Sequence, residues 1–376
     1  MSCLPHDIYI YCKTMSESMM SPTGKKVGGI SLTDREKTKQ LKMAVTPFAT
    51  SDTKKSIIQI INTIIPLLAI LTAAYWIIPY TMLGAIGLSI IAAGFVVRTF
   101  IIFHDCTHGS FFKNKKANDF MGFITGVLTL FSYEKWKKEH MIHHASSSNL
   151  DKRGIGDIWV MTVDEYLEAS KWKRFCYRAY RNPLVMFGLG PLYLVLIDSR
   201  FNHKNAKKKE RLNTYLSNIC IAAIITGIIL LTNVQSFLII HGTTMFVAGS
   251  LGIWLFFIQH TFEDSYFENQ NDWDYVKAAI EGSSYYKLPL VLQWITGNIG
   301  FHHVHHLAPR VPNYKLQEAH TKTPPLQHAT TITIKTSMES LRYKLYDSPN
   351  KHFVTFKEVK KRVVSHDYKL RSLKIS

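Results

Sequence analysis

The sequence predicts an all-α integral membrane protein: four transmembrane helices in two hairpins, interfacial helices, and a cytosolic helical cap carrying a histidine-rich metal site. Three observations predict it. Residues 56–97 and 212–262 contain no Asp, Glu, Lys or Arg, and each run is long enough for about two passes of roughly 20 residues through a hydrocarbon core. Most of the basic excess, a formal net charge of +18, lies outside those runs. Nine histidines fall in three tight clusters beside or between them.

The first uncharged run breaks best at Ile78-Pro-Tyr-Thr-Met-Leu-Gly84, which predicts helices over about 57–78 and 82–103. The second breaks at Thr232-Asn-Val-Gln-Ser236 and predicts helices over about 213–232 and 236–259. Segments 120–131 and 184–197 are apolar but short for a crossing, and a crossing at 120–131 would place two histidine clusters on opposite sides. Both are therefore expected to be interfacial or re-entrant. Residues 1–43 lack the apolar core of a signal peptide and are expected to form a flexible extension, the functional chain beginning near Met43. Residues 262–376 are expected to form the cap, with a helix over 332–346, ending in a basic tail at 366–376.

Lysine- and arginine-rich segments (113–116, 135–138, 171–181, 200–211) place their loops, both termini and all three clusters in the cytoplasm. Nucleic acid binding is disfavoured, because no stacking aromatic motif or known binding module accompanies the charge. The same basic face suits anionic lipid heads or an acidic partner. Five scattered cysteines without a CxxC fit reduced thiols.

The clusters read His104-Asp-Cys-Thr-His108, His140-Met-Ile-His143-His144 and His302-His303-Val-His305-His306. Imidazoles three or four residues apart share a helix face, so each cluster aims two or three at one point. His260, at the end of the fourth predicted span, joins them as His104 follows the second. The expected ligands are thus His104, His108, His140, His143, His144, His260, His302, His305 and His306. His303, about 100° around its helix from His302, is expected to face a supporting shell or solvent. His203, His241, His320, His328 and His352 have no ligand-like neighbours in sequence. Asp105, Asp157, Glu263 and Asp264 are candidates for orienting imidazoles. Sulfur-poor, all-nitrogen coordination argues against structural zinc. Eight or nine imidazoles fit two ions with open positions, and non-haem iron is the natural candidate for oxygen chemistry.

The clusters, together with Gly156-Asp-Ile-Trp-Val-Met-Thr-Val-Asp-Glu-Tyr166, Ile258-Gln-His-Thr-Phe-Glu-Asp264 and the stretch running on from the third cluster to Asn313, resemble the integral-membrane fatty acid desaturase family. The likeness runs over about residues 44–365 and is strongest to the acyl-lipid omega-6 (delta-12) branch. That resemblance implies a di-iron centre on the nine histidines, with no catalytic residue beyond the ligands. It implies O2 as co-substrate and insertion of a cis double bond into an acyl-lipid, acyl-CoA or acyl carrier protein substrate. Electrons would come from a separate ferredoxin or cytochrome b5. A related di-iron hydroxylase or ketolase acting on a lipid or carotenoid is the alternative. The membrane expected is a bacterial plasma membrane. Trp159, Tyr166, Phe111 and Phe112 are candidates to line an acyl tunnel or simply to pack the core.

Overall fold

The computed structural model describes residues 34–362; positions 1–33 of the expected extension and the whole 366–376 tail lie outside them. Helix α1 (Asp34–Val45) precedes the membrane region. Its Leu41 and Val45 are buried in one apolar cluster with Val304 and Leu307, so packing begins ahead of Met43.

Among the described residues, four helices are long and apolar enough to cross a membrane: α2 (Thr53–Ile77), α3 (Met82–His108), and, after α4 (Lys115–Leu128) and α5 (Tyr133–Ser146), α6 (Lys208–Leu231) and a span over Val234–His260. The last opens with a short helical stretch and a π-turn at Leu238–Gly242, then continues as α7 (Thr243–His260). Local chemistry sets the ends. The Asp52 side chain accepts from the N–H groups of Lys54 and Lys55 to cap α2, Thr81 caps α3, and Asn114 caps α4. Gly109, at φ 64°, closes α3 in the left-handed conformation.

α3 runs past residue 103 to His108, and the last span closes at His260, so both carry histidines at their ends. At 1.5 Å per residue, the 27 residues of α3 reach about 40 Å, beyond a hydrocarbon core of about 30 Å. Its histidine-bearing last turn therefore clears the apolar layer. α3 is also the central span, packed against α2, α4 and α7. The others turn large apolar side chains outward, as Ile57, Ile61, Ile65 and Leu68 do on α2. The 184–197 stretch is no straight crossing, because Lys171–Tyr180 and Val185–Arg200 meet at a 65° bend.

The cap corrects one expectation. Residues 332–346 are not one helix: Thr331–Thr333 pairs in parallel with Tyr285–Lys287, placing Ile332 opposite Tyr286, and Leu345–Asp347 pairs with His352–Val354. The β-branched run Thr330-Thr-Ile-Thr333 explains the preference, since such side chains suit a pleated surface better than a helix. Two short helices complete the site: α8 (His302–Leu307) and α9 (Asn313–Lys322).

Candidate metal centre

The nine expected ligands meet in two groups. The first holds His104 and His108 from α3, His140 and His144 from α5, and His305 from α8; the second holds His143, His260, His302 and His306. Within each group one ligand atom per residue lies within 4.8 Å of every other. The division follows helix geometry. Residues four apart lie only about 40° apart around a helix, so His104 and His108, His140 and His144, and His302 and His306 each stay together. His143 and His305, rotated from those pairs, each serve the opposite group. The two groups adjoin, with the rings of His144 and His306 stacked at 4.3 Å.

The contacts between imidazoles have the spacing that a shared cation would need. In the first group Nε2 atoms lie 2.9 Å apart between His104 and His140, 3.1 Å between His140 and His144, and 2.9 Å between His144 and His305. In the second the spacings are 3.3 Å for His143 and His306, 3.0 Å for His260 and His302, and 3.1 Å for His302 and His306. A metal–imidazole bond of about 2.0–2.1 Å with ligands at right angles puts neighbouring nitrogens about 3 Å apart. Two of these rings have their tautomer fixed from behind. His143 Nδ1 donates to Asp157 Oδ1 at 2.5 Å, and His260 Nδ1 donates to the Gly282 carbonyl at 3.0 Å. Their Nε2 lone pairs therefore face inward, where lone pairs this close repel unless a cation stands between them. His108 Nε2 is buried with no hydrogen-bond partner. Burial lowers the pKa of His140, His144, His302, His305 and His306, which keeps them in the neutral form that binds metal.

Of the expected orienting carboxylates, Asp157 and Asp105 reach imidazoles. Asp105 Oδ1 lies 3.4 Å from His104 Nδ1, while its Oδ2 accepts from the backbone N–H and side-chain amide of Asn313 at 2.7 and 2.8 Å. Glu263 instead accepts from the Tyr343 hydroxyl at 3.1 Å, and neither it nor Asp264 forms an ion pair with an imidazole among the described residues. Gly156, at φ 72°, lets Asp157 approach, because a Cβ there would sit 2.9 Å from the Glu139 carbonyl and 3.2 Å from His143 Cβ.

His303 points away from both groups but does not face solvent: it is fully buried, its Nε2 3.0 Å from His320 Nδ1. His320, expected to have no such neighbour, is thus half of a histidine pair, tucked beside Tyr285 and Phe301. The fold creates this pair by laying α9 against α8, which sequence spacing does not show. His203, His241, His328 and His352 join neither group. Sequence reasoning missed Asn313 and the Gly282 carbonyl as supports, and only Asn313 carried a signal, its place beside the third cluster.

A cavity lies against His143 and His260, walled by Ile158, Val160, Phe256 and Phe267 and edged by Asp157 and Arg153. Phe111 and Tyr166 lie buried in separate aromatic clusters and serve as packing.

The spans carry three of the nine imidazoles, and α5 and α8 the other six, into two groups that could hold metal in a membrane protein. The fatty acid desaturase family model matches residues 79–335. The chain is 55% identical over 329 residues to a fatty acid desaturase of Bacillus subtilis, covering 88% of this chain and 94% of the relative. An sn-1 oleoyl-lipid 12-desaturase of Synechocystis is 25% identical over 230 residues, covering 59% of this chain and 63% of the relative. A chloroplastic omega-6 fatty acid desaturase of Arabidopsis thaliana is 27% identical over 238 residues, 59% of this chain and 49% of the relative, so the match spans about half of the plant protein. The chain belongs to the fatty acid desaturase family, and is an enzyme of the oxidoreductase class.

Proposed function

We propose that this chain is an O2-dependent acyl-lipid desaturase holding two non-haem irons, one on His104, His108, His140, His144 and His305 and the other on His143, His260, His302 and His306. The observation that carries the reading is the two sets of facing Nε2 atoms gathered at the ends of two apolar spans. Iron bound there supplies the oxidising power to take two hydrogens from an unactivated acyl chain as O2 is reduced to water. The balance is one CH2–CH2 unit, O2, two electrons and two protons giving one cis CH=CH unit and two waters, with the electrons drawn from a separate ferredoxin or cytochrome b5.

The protein's own part is position and polarity. Asp157 and the Gly282 carbonyl hold two rings in the ligating tautomer, and Asp105 with Asn313 braces the first cluster. Ile158, Val160, Phe256 and Phe267 give the space beside His143 an apolar wall, and burial of an acyl chain is favoured by about 0.8 kcal/mol per methylene. So uniform a gain discriminates poorly by chain length, and position selectivity falls to the cavity's shape.

The reading takes the desaturase domain as about residues 44–365. The delta-12 assignment is supported by the names of the Synechocystis and Arabidopsis relatives, and a bacterial plasma membrane with a cytoplasmic site by the basic loops. The test is gas chromatography–mass spectrometry of fatty acid methyl esters from a host expressing the chain with a compatible donor, using His143→Ala and His305→Ala as controls. A dienoic acid made only by the wild type is the expected result. A new double bond elsewhere would remove the delta-12 assignment alone, and an oxygenated product would favour the hydroxylase.

A further inference from the structure

The two histidine groups have different aromatic neighbours. The four-histidine group is faced by Phe256, its ring 5.0 Å from that of His143 and 5.3 Å from that of His260, and the same two histidines border the cavity. Against the five-histidine group stands Trp136 of α5. Its ring stacks on His140 at 4.2 Å between centroids and 25° between planes, and lies 5.8 Å from that of His104. Indole is among the most easily oxidised side chains, whereas the benzene ring of Phe256 resists oxidation.

The aromatic contacts continue outward from Trp136. The Phe103 ring lies 5.0 Å from Trp136 and 6.0 Å from Tyr133, and Tyr133, three residues before Trp136 on α5, shares its helix face. Tyr133 is 1% exposed, its ring seated against Gly122, where any Cβ would clash with it. Its hydroxyl faces two acceptors, the Cys106 carbonyl at 2.8 Å and Asp119 Oδ1 at 3.1 Å. Lys137 Nζ donates to the phenol oxygen at 3.4 Å and to Asp119 at 3.3 Å, and Lys115 donates to Asp119 at 2.5 Å. These two ammonium groups favour the ionised carboxylate, the form able to take a proton. The Asp119 side chain is 27% exposed, so the series ends at water. Packing alone would be served by Phe at position 133, with no buried hydroxyl to satisfy.

We propose that Trp136 and Tyr133 form a one-electron relay that supplies the five-histidine group when O2 is consumed with no acyl chain in place, and so spares the ligand imidazoles from oxidation. The inference rests on the desaturase reading. Reduction of O2 to two waters takes four electrons and four protons, with two of the electrons coming from the carrier and two from the acyl chain. Without the chain, two electrons are missing. Tyr133 gives them one at a time: an electron passes through Trp136 to the five-histidine group, the phenolic proton passes to Asp119, and a neutral phenoxyl radical remains. A soluble thiol returns one electron and one proton to it, and two thiols end as one disulfide. Two short transfers outrun one long one, because tunnelling weakens steeply with distance. A bound acyl chain reacts directly, whereas the relay needs two transfers and a proton shift.

The experiment places the full, iron-loaded chain in nanodiscs of diphytanyl ether phosphatidylcholine, which offers no straight acyl chain. The protein is reduced with dithionite, freed of excess reductant and mixed with O2 in the absence of thiol. Two quantities are read: the organic radical, by freeze-quench electron paramagnetic resonance, and oxygen added to the ligand histidines, by peptide mass spectrometry. The wild type is expected to give a tyrosyl signal that narrows when its tyrosines are ring-deuterated, with little oxidised histidine. Tyr133→Phe and Trp136→Phe should each lose that signal and raise histidine oxidation severalfold, with iron content unchanged. Asp119→Asn, which keeps the shape but takes a proton poorly, should reduce the signal, and it decides the matter together with Tyr133→Phe if Trp136→Phe fails to hold iron. Adding a straight-chain acyl-lipid should suppress the wild-type signal. A tyrosyl signal that survives in Tyr133→Phe, or keeps its wild-type yield in an iron-loaded Trp136→Phe, would overturn the relay. So would equal histidine oxidation in the wild type and both variants, or O2 uptake that occurs only when acyl-lipid is present. A wild type that retains no iron, or that forms no product with acyl-lipid, would overturn the desaturase reading, and the relay with it.

Discussion

Asp105 and Asn313, 208 residues apart, are joined through a single carboxylate oxygen that accepts both the backbone and the side-chain N–H of Asn313. The pair ties the end of α3 to the start of α9, and so fixes the first histidine cluster against the segment that follows the third. Asp105 is 1% exposed, and a buried carboxylate deprived of a donor costs about 1–3 kcal/mol. Asn313→Ala should lower the thermal midpoint and weaken the His104 group's hold on iron by roughly tenfold or more. Asn313→Asp, which sets a second carboxylate against the first, should do worse. Thermal unfolding and chelator competition on the purified protein check both, and a wild-type profile in Asn313→Asp would refute the brace.

On the other group the matching support is Asp157 behind His143. Asp157→Asn keeps the shape and an accepting oxygen but removes the charge that strengthens the bond. Iron in the four-histidine group should then bind about 10–100-fold more weakly, with the five-histidine group little changed. Stepwise removal by a chelator should show one weakened iron of two. Equal weakening of both would mean that the groups do not act separately.

The three clusters and His260 were readable because helix geometry turns a spacing of three or four into a shared face, and because an uncharged run of more than 40 residues has few other meanings. The division into five and four was implicit in the same spacing: residues four apart stay together, while His143 and His305 cross over. What spacing does not encode is contact between distant segments. His320 reaches His303 only because α9 folds back on α8, and Gly282 reaches His260 only through its carbonyl, which any residue possesses. The cap was misread for a related reason, since Ile332 takes its strand partner from Tyr286 across the fold.

His303→Ala separates support from ligation. Loss of the buried bond to His320, with a cavity left behind, should cost about 1–3 kcal/mol of stability. Because His303 belongs to neither group, the variant should keep two irons and substantial desaturation. Iron analysis beside fatty acid analysis decides it, and loss of an iron equivalent would place His303 among the ligands.

Removing the metal should expose the repulsion built into the site. Facing lone pairs at 2.9–3.3 Å favour any opening of the bundle's histidine-bearing end once no cation stands between them. Treatment with a strong chelator should therefore lower the thermal midpoint, and ferrous iron should restore it. Binding to the folded state alone at a thousand times Kd stabilises by about 4 kcal/mol. His143→Ala, lacking one of four donors in its group, should lose most of the iron-dependent gain at that group and retain it at the other. A protein whose midpoint is the same with and without iron would mean that the nine imidazoles are held in place by packing alone, and the assignment of His143 as a ligand would fall with it.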